Sequence, residues 1–216
     1  PVMDKRVAQT YAKASKATNK NALSDPYVKA IRWASDQIKE EGIVAFVTNN
    51  SFIDGIAFDG MRKHLAKDFD AVYVLDLGGN VRKNTQSPTH ALNLSNVFDI
   101  KVGVSVNFFV RKRNKPHSKT ANIFYALVKE TGRKQDKLRF LDEKQHRNNI
   151  DWRSIHPDKK NTWLTEGLHD EFETLISIGN KASKSARGEA VDAIFQIYSR
   201  GVATSRDTWA YNFNRE

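Results

Sequence analysis

The chain has 216 residues, of which 39% are hydrophobic and 28% charged, a composition typical of a folded globular protein. It contains no cysteine, which excludes disulfide bonds and thiolate metal sites. Its 35 Lys and Arg residues outnumber its 25 Asp and Glu residues, giving a net charge of +10. This excess favours a nucleic-acid partner, because cations that bind phosphates release condensed counterions. A basic surface that only keeps the protein soluble explains the charge equally well.

Other features disfavour metal and membrane proteins. The 6 histidines show no HxH or HxxxH spacing, so no metal site is predicted. No stretch approaches the ~20 apolar residues that span a bilayer, and no charged leader precedes an apolar one, so no membrane association is expected. Together with the lack of cysteine, this favours a cytoplasmic protein.

Two helices are predicted at the start of the chain. Apolar residues recur at helical spacing within residues 2–15 and again from Tyr27 to Ile38. Asp25 is suited to the N-cap of the second helix and Pro26 to its first position, and the helix is predicted to extend to about Glu41.

Four strands are predicted after these helices. Ile43–Val47 and Ala71–Leu77 are continuous apolar runs, typical of strands that are buried on both faces, and a helical pattern at 58–67 lies between them. Strand, helix and strand in this order predict a parallel crossover in a sheet that helices cover on both sides. Residues 104–110 and 122–127 supply the third and fourth strands. Farther on, residues 167–178 predict an amphipathic helix and residues 180–190 a polar linker.

An amide-rich turn follows the first strand. Ligands of open α/β sheets bind outside the carboxyl ends of the strands, so Asn49 and Asn50 are candidates for contact with a bound base or sugar. The same side chains fit a purely local role equally well, in which they satisfy backbone groups of the turn.

Phe98 stands between a long polar loop, residues 78–98, and the third strand. A loop of that length in a compact domain is usually functional or mobile. An aromatic residue at its end can stack on an unpaired base, an interaction that contributes about 1–3 kcal/mol. From residue types alone, packing in the core is the favoured alternative.

Basic residues suited to phosphate contacts occur at three places, although each alone is more often a surface charge. They are Arg82 and Lys83 in the long loop, Arg111, Lys112 and Arg113 after the third strand, and Arg206 near the C-terminus. No P-loop, GxGxxG or GxSxG motif occurs, and the aspartates show no diagnostic pairing. The sequence therefore supplies binding groups but no catalytic residue.

Short segments in a fixed order resemble one enzyme family. They are YAK at 11–13, ATNKN at 17–21, YVKAIRWA at 27–34, GIVAFVTN at 42–49, GMRKHL at 60–65, LGGN at 77–80 and GVATSRDTW at 201–209. Their order and spacing resemble the catalytic module of gamma-class DNA adenine methyltransferases, in particular the large type ISP and type IIG restriction-modification enzymes. The match is good to about residue 112, weak to 195 and clear again at 201–209.

The resemblance implies a bacterial enzyme that transfers a methyl group from S-adenosylmethionine to the N6 amine of adenine in double-stranded DNA. The chain would begin after the family's Asn-Pro-Pro-Tyr loop. The cofactor-binding half, with any nuclease or helicase part, would then lie in the remainder of the same polypeptide, and this chain alone would be inactive. In the family, an aromatic residue before the last sheet strand stacks on a flipped adenine. Phe98 takes that position, so the resemblance favours stacking over core packing.

The resemblance also implies a fold and a division into domains. The expected fold class is α/β, with the C-terminal half of a Rossmann-like methyltransferase sheet and a mixed α+β extension. Residues 1–128 would belong to the catalytic domain, residues 129–195 would form a charged helical extension or connector, and residues 196–216 would begin the target-recognition region.

Three other functions stay open at this stage. A non-catalytic nucleic-acid-binding module fits the same charge and the missing catalytic groups. A methyltransferase that acts on RNA or protein would share the fold. A structural or interaction domain would carry its basic surface incidentally. A requirement for duplex DNA would separate the family prediction from a methyltransferase of RNA or protein. Methylation after addition of the missing N-terminal half would separate it from a non-catalytic binding module, and the absence of DNA binding at low salt would indicate a structural domain.

Overall fold

The computed structural model describes residues 2–80, 96–113, 120–128 and 133–164, with short stretches at 174–176, 178–179 and 193–195. The chain divides into two compact units, Pro1–Leu164 and Thr165–Glu216. The described helices and strands belong to the first unit. Most of the predicted helix at 167–178 and the whole linker at 180–190 lie outside the described residues.

The N-terminal helices form where they are predicted. α1 spans Val2–Val7 and continues as a π-helical segment over Ala8–Ala12, and α2 spans Pro26–Gln37. Asp25 occupies the N-cap position of α2, and Pro26 its first position, although the Asp25 side chain makes no capping hydrogen bond.

α2 ends before the predicted Glu41, and a long-range contact holds the chain that follows it. The Ile38 and Lys39 carbonyls accept hydrogen bonds from the Arg111 guanidinium at 2.5 and 3.1 Å. Ile38 has extended dihedral angles, and Arg111 satisfies these two carbonyls in that conformation. The contact therefore stabilises the extended chain after Gln37.

Five strands form one mixed sheet, which agrees with the expected α/β class. They are β1 (Gly42–Asn49), β2 (Ala71–Asp76), β3 (Val104–Arg111), β4 (Asn122–Leu127) and β5 (Arg153–Ile155). Their order across the sheet is β1-β3-β2-β4-β5. β2 and β4 are parallel, and the other neighbouring pairs are antiparallel. α3 (Asp59–Asp68) connects β1 to β2, and α4 (Lys134–Lys144) precedes β5.

The first two strands are not neighbours, although the predicted crossover joins them. β3 lies between β1 and β2 and runs antiparallel to both, so β1 and β2 point the same way while each pairs with β3. An apolar run predicts a buried strand but does not identify the strand that it pairs with, so the strand order could not be predicted from the sequence. As a result, the carboxyl ends of β1 and β2 and the amino end of β3 meet at one edge of the sheet.

The two faces of the sheet are covered unequally. Helices α1, α2 and α3 contribute to a large core on one face, which includes the fully buried Tyr11, Ile31, Leu65 and Phe109. On the other face, α4 packs over a smaller core near the carboxyl ends of β2 and β4.

β1 is not buried on both faces, which corrects the prediction for Ile43–Val47. Val44 is buried, whereas Ile43 is 65% and Val47 52% exposed. Phe108 of β3, which pairs with Ala45, is also exposed. Among the described helices, α4 packs on this face near the carboxyl ends of β2 and β4 and leaves these β1 side chains exposed.

Part of the range predicted as a connector, residues 129–195, belongs to the sheet-containing unit. Its β5 pairs with β4, with Ile155 opposite Ile123, and Trp163 is buried in the large core. Residues 133–164 therefore belong to the sheet-containing unit, which extends to Leu164. The functional division of the chain stays a prediction.

A buried arginine links α2 to α3. Arg32 is 3% exposed, and its guanidinium donates to Asp36 in the same helix and to Asp68 at the end of α3, at 2.7 Å in both cases. It also lies 5.4 Å from the centroid of the Tyr11 ring. A hydrogen bond from Arg6 and a smaller contribution from Arg32 hold the pKa of Asp36 below its ordinary value. Arg32 is therefore the cation that pairs with Asp68, and it shares Asp36 with Arg6, whose guanidinium donates to both Asp36 oxygens at 2.7 Å.

We expect Arg32→Met to lower the free energy of unfolding by about 3–5 kcal/mol, because it removes the cation that pairs with the partly buried Asp68 and one of the two that pair with Asp36. Urea denaturation of the chain measures this difference. Arg113→Met is the control, since Arg113 is 62% exposed and pairs with surface glutamates. It should change the stability by less than ~1 kcal/mol. Equal losses in the two variants would contradict the role of Arg32.

Candidate functional site

The candidate site lies at the edge of the sheet where β1 and β2 end. Because β3 begins at Val104, the segment Asn96–Gly103 joins the same edge, and this segment carries Phe98. Ligands of α/β sheets bind outside the carboxyl ends of parallel strands, so this edge is where a bound group is expected.

Asn49 and Asn50 both bond within the chain. The Asn49 Oδ1 accepts a hydrogen bond from the Ser51 N–H at 2.8 Å, which is the local role left open by the sequence. Asn50 is 7% exposed, and its Nδ2 donates to the Asp76 Oδ1 at 2.8 Å. Contact of either amide with a bound base or sugar stays a prediction.

Asp76, the last residue of β2, is a buried carboxylate with three donors. Its Oδ1 accepts from the Asn50 Nδ2 and the Gly78 N–H at 2.8 Å, and its Oδ2 accepts from the Tyr125 hydroxyl at 3.0 Å. These bonds offset the loss of hydration of a carboxylate that is 8% exposed. Burial and the adjacent Asp76 raise the pKa of Tyr125, so its hydroxyl stays protonated and donates. Asp76 thereby joins β2 to β4 and to the turn after β1.

A second set of buried polar groups lies farther along β3. Asn107 is fully buried, its Nδ2 donates to the Thr48 Oγ1 at 3.0 Å, and its Oδ1 accepts from the Ser105 Oγ at 3.1 Å. A satisfied polar network of this kind favours one arrangement of its strands. It therefore supports the pairing of β1 with β3 beside the site.

Two glycines allow close backbone contacts at the site. A Cβ on Gly103 would lie 2.4 Å from both the nitrogen and the oxygen of the Asn50 amide, and a Cβ on Gly79 would lie 2.9 Å from the Asn96 Cα. Gly79 also has a φ of +84°, which favours glycine. The Asn50 N–H donates to the Gly103 carbonyl at 3.0 Å. Asn96–Gly103 therefore lies against the segments that follow β1 and β2.

Phe98 points away from the core. Its side chain is 57% exposed, whereas the adjacent Val97 is buried in the smaller core. The Phe98 N–H donates to the Asn96 Oδ1 at 2.8 Å, and Asp99 forms an ion pair with Lys134 at the start of α4. Phe98 is therefore not packed in the core that the described residues form, and stacking on a base stays a prediction.

The predicted phosphate contacts differ in their surroundings. Arg82, Lys83 and Arg206 lie outside the described residues. Arg111 donates to the carbonyls of Asp68, Ile38 and Lys39, and its guanidinium lies 5.4 Å from the Phe69 ring. Arg113 pairs with exposed glutamates, and Lys112 is exposed. Arg111 therefore has a structural role, and phosphate contact by these residues stays a prediction.

Arg111, Lys112 and Arg113 lie at the end of the sheet opposite to Phe98. β3 runs from Val104, beside the site, to Arg111, and at about 3.3 Å per residue its ends are roughly 23 Å apart. These three residues therefore cannot contact the phosphates of a nucleotide held at Phe98. Any phosphate that they bind belongs to another part of the interface.

A separate open pocket of about 280 Å³ lies near the start of α3, and Lys16, Asp59 and Arg62 are among its lining residues. Arg62 is 2% exposed and donates to backbone carbonyls at 2.7–2.9 Å. Burial lowers its pKa. Arg62 therefore holds surrounding loops together. The described residues contain no group of three side chains suited to a metal ion, and no described helix has the length and hydropathy to cross a membrane.

Sequence reasoning missed Asp76, Tyr125 and Gly103. The Asn50 and Tyr125 partners of Asp76 lie 26 and 49 positions away, so local spacing does not show them. One signal was present, since an aspartate in the apolar run of β2 is rarely buried without partners. Its position before a Gly-Gly pair also indicated a turn at the strand end.

Three solved structures are similar to the chain. The ATP-dependent type ISP restriction-modification enzyme LlaBIII bound to DNA matches 96% of it at 34% identity, with a TM-score of 0.80. A cryo-electron microscopy structure of a DrdV–DNA complex matches 96% at 39% identity, with a TM-score of 0.79. A nuclease-deletion mutant of the type ISP enzyme LlaGI, in complex with a DNA substrate mimic, matches 84% at 29% identity, with a TM-score of 0.74.

The predicted resemblance to type ISP restriction-modification enzymes is confirmed. The similarity extends through the stretch of residues where the sequence resemblance was weak, since two structures match 96% of the chain. The chain spans 13%, 20% and 14% of the three matched chains, so it corresponds to one segment of much longer proteins. No protein-family model and no curated protein sequence matches the chain.

We expect Gly103→Ala to lower the free energy of unfolding of this type ISP-like segment by about 1–3 kcal/mol, because the new Cβ would collide with the Asn50 amide. Asn50→Ala removes the colliding group, so the double variant should be no less stable than Asn50→Ala alone. Urea denaturation of the four proteins forms a double-mutant cycle. Additive losses would show that the two residues do not interact.

Proposed function

We propose that the chain holds the target adenine in a site-specific DNA adenine-N6 methyltransferase, within a restriction-modification enzyme of the bacterial cytoplasm. The observation that carries this proposal is the exposed Phe98 at the ligand-binding edge of a sheet similar to that of type ISP enzymes. Phe98 would stack on the face of an adenine flipped out of the duplex.

The surroundings of Phe98 support the stacking role. Val97 is anchored in the smaller core and the Asn96 side chain accepts the Phe98 N–H, so the backbone is held while the ring remains exposed. A flipped base needs an apolar surface to replace the stacking that it loses in the duplex. An exposed phenylalanine on a fixed backbone supplies such a surface.

Double-stranded DNA is the proposed partner of the chain. The matched LlaBIII and DrdV structures are complexes with DNA, and the LlaGI structure contains a DNA substrate mimic. The net charge of +10 adds a favourable, salt-dependent contribution to binding of a polyanion. Arg82, Lys83, Lys112, Arg113 and Arg206 stay the candidates for phosphate contacts.

The exposed apolar face of the sheet supports the proposal of a second partner, which is the remainder of the same polypeptide. β1 is an edge strand of the described sheet, and apolar side chains are exposed on it and on β3. We call Ile43, Ala45, Val47 and Phe108 the β1 surface. Exposed apolar edges are normally paired or covered in native proteins. We assign the β1 surface to contact with the cofactor-binding half of the enzyme.

The described residues do not fit S-adenosylmethionine. Asn50 and Asp76, at the edge where a ligand is expected, are buried and hydrogen-bond to each other. The chain also lacks a glycine-rich cofactor motif. We therefore propose that the remainder of the polypeptide binds S-adenosylmethionine, the methyl donor, and contains the amine-binding loop. The role of this chain is to hold the base and contact DNA, so it is inactive alone.

In the complete polypeptide, we expect Phe98→Ala to lower the rate of adenine methylation by about 5- to 150-fold, the equivalent of the ~1–3 kcal/mol that base stacking contributes. Phe98→Trp should keep most of the activity because it retains an aromatic face. Transfer of a radioactive methyl group from S-adenosylmethionine to a duplex measures the rate.

Trp33→Ala is the matched control for Phe98→Ala, since Trp33 is 55% exposed and lies on α2, away from the site. It should leave the rate unchanged. Equal activity of Phe98→Ala and the unmodified enzyme would refute the stacking role. DNA binding by the complete polypeptide without methylation would favour the non-catalytic nucleic-acid-binding module instead.

We expect the isolated chain to show no methylation and the addition of the remainder of the polypeptide to restore it. Val47→Lys should prevent this restoration and the co-purification of the two parts, because it places a charge in the β1 surface. Ile56→Lys is the control, since Ile56 is 83% exposed and lies outside the strands. Methylation by the chain alone, or equal effects of the two lysines, would contradict this assignment.

A further inference from the structure

We propose that Asp76 is a positioning residue for Phe98, because a single carboxylate oxygen fixes both ends of the segment Asn96–Gly103 that presents the ring. This inference rests on the proposed function, in which Phe98 stacks on the target base. It assigns a functional role to a buried acid that does not itself touch the base.

The first link leads from Asp76 to the C-terminal end of the segment. The Asp76 Oδ1 holds the Asn50 side chain through its Nδ2, and the Asn50 N–H donates to the Gly103 carbonyl at 3.0 Å. The Asn50 amide also lies directly against Gly103, where a Cβ would be only 2.4 Å from it. The orientation of Asn50 therefore sets the position of Gly103.

The second link leads from the same oxygen to the N-terminal end. The Asp76 Oδ1 accepts the Gly78 N–H at 2.8 Å, and the Gly78 carbonyl is itself held by the Val104 N–H, just beyond the C-terminal end, at 3.1 Å. The next residue, Gly79, packs against Asn96 so closely that a Cβ would lie 2.9 Å from the Asn96 Cα. Asn96 in turn accepts the Phe98 N–H. The Gly78-Gly79 backbone therefore sets the position of Asn96 and, through it, of Phe98.

Other connections of the segment do not involve Asp76. The Leu77 N–H donates to the Val104 carbonyl at 2.9 Å, and the Asn96 Nδ2 donates to the Val102 carbonyl at 2.5 Å. The ion pair between Asp99 and Lys134 is solvent-exposed, with side-chain exposures of 72% and 38%, and exposed pairs contribute little. The Tyr125 hydroxyl binds the Asp76 Oδ2 and does not take part in either link. Asp76 thus adds a side-chain link toward each end of the segment, beside the backbone bond between Leu77 and Val104.

The hydrogen bonding of Asn50 also points to a positioning role. Its Oδ1 is buried and has no hydrogen-bond partner among the residues that the structure describes. A buried acceptor without a partner lowers stability, so such a group is expected where it serves a purpose other than stability. Holding Gly103 while bonding to Asp76 is such a purpose. A ring fixed before the base arrives loses less conformational freedom on binding, which strengthens stacking.

The first test is amide hydrogen exchange of the 216-residue chain. We expect Asp76→Asn to accelerate exchange of the Asn50, Phe98 and Val104 amides by about tenfold or more, since it replaces charge-assisted hydrogen bonds with neutral ones. The amides of α2 should keep their protection. Tyr125→Phe is the matched control, because it removes only the bond to Oδ2 and should leave the Phe98 amide within about threefold.

The outcomes of this test are distinct. Unchanged exchange at Asn50, Phe98 and Val104 in Asp76→Asn, or equal acceleration throughout the chain, would overturn the inference. Should Asp76→Asn fail to fold, Asn50→Ala replaces it, because it removes the first link alone. It should then accelerate exchange at residue 50 more than at Phe98, and the reverse order would count against the two links.

The second test is a double-mutant cycle in the complete polypeptide, read as methylation of a duplex. We expect Asp76→Asn to lower the rate about tenfold, and to lower it less than twofold in the Phe98→Ala background, because its effect passes through the ring. Additive losses would mean that Asp76 acts elsewhere. If the unmodified polypeptide does not methylate DNA, the proposed function fails, while the exchange test still decides whether Asp76 fixes the segment.

Discussion

The antiparallel insertion of β3 between β1 and β2 determines where every group of the candidate site lies. β3 pairs with β1 from Gly42 opposite Arg111 to Asn49 opposite Val104, and it pairs with β2 along its other edge. A shift of one residue would turn Phe109 out of the large core and Asn107 away from Thr48, so burial and buried hydrogen bonds both resist it. In the observed register Val104 lies at the ends of β1 and β2, which brings Asn96–Gly103 to the site.

The sequence predicts the elements well where local patterns determine them and poorly where distant groups do. The two N-terminal helices and four of the strands follow from apolar periodicity. β5, in contrast, has only three residues, and its pairing with β4 defines it. The extended chain after α2 is held by Arg111, 73 positions along the chain, a contact that no local signal encodes. The exposure of one face of β1 also cannot be predicted from the sequence. An apolar strand has the same composition whether its second face packs against a helix of the same unit or against another surface.

The same contrast holds within the site. Phe98 and the Asn49-Asn50 turn can be located from the sequence because they flank predicted strands, and the family resemblance adds a role for Phe98. The Asp76 network joins residues from β2, β4 and the turn after β1, so only the folded chain brings its members together. The position of the basic residues after β3 also depends on the folded chain. β3 runs away from the site, so these residues lie at the opposite end of the sheet, and Arg111 is bonded to backbone carbonyls.

β1 connects the candidate site to the surface that we assign to contact with the remainder of the polypeptide. Its side chains alternate, so Val44 enters the large core while Ile43 and Val47 face outward, and the strand ends at Asn49 beside Asn50. Burial of Val47 by a covering element would restrain the strand immediately before the turn that holds Gly103. In the proposed enzyme, assembly of the two halves therefore does more than bring the methyl donor near the base. It also completes the packing of the strand from which the Asn50 link to Phe98 begins, and both effects require the same contact.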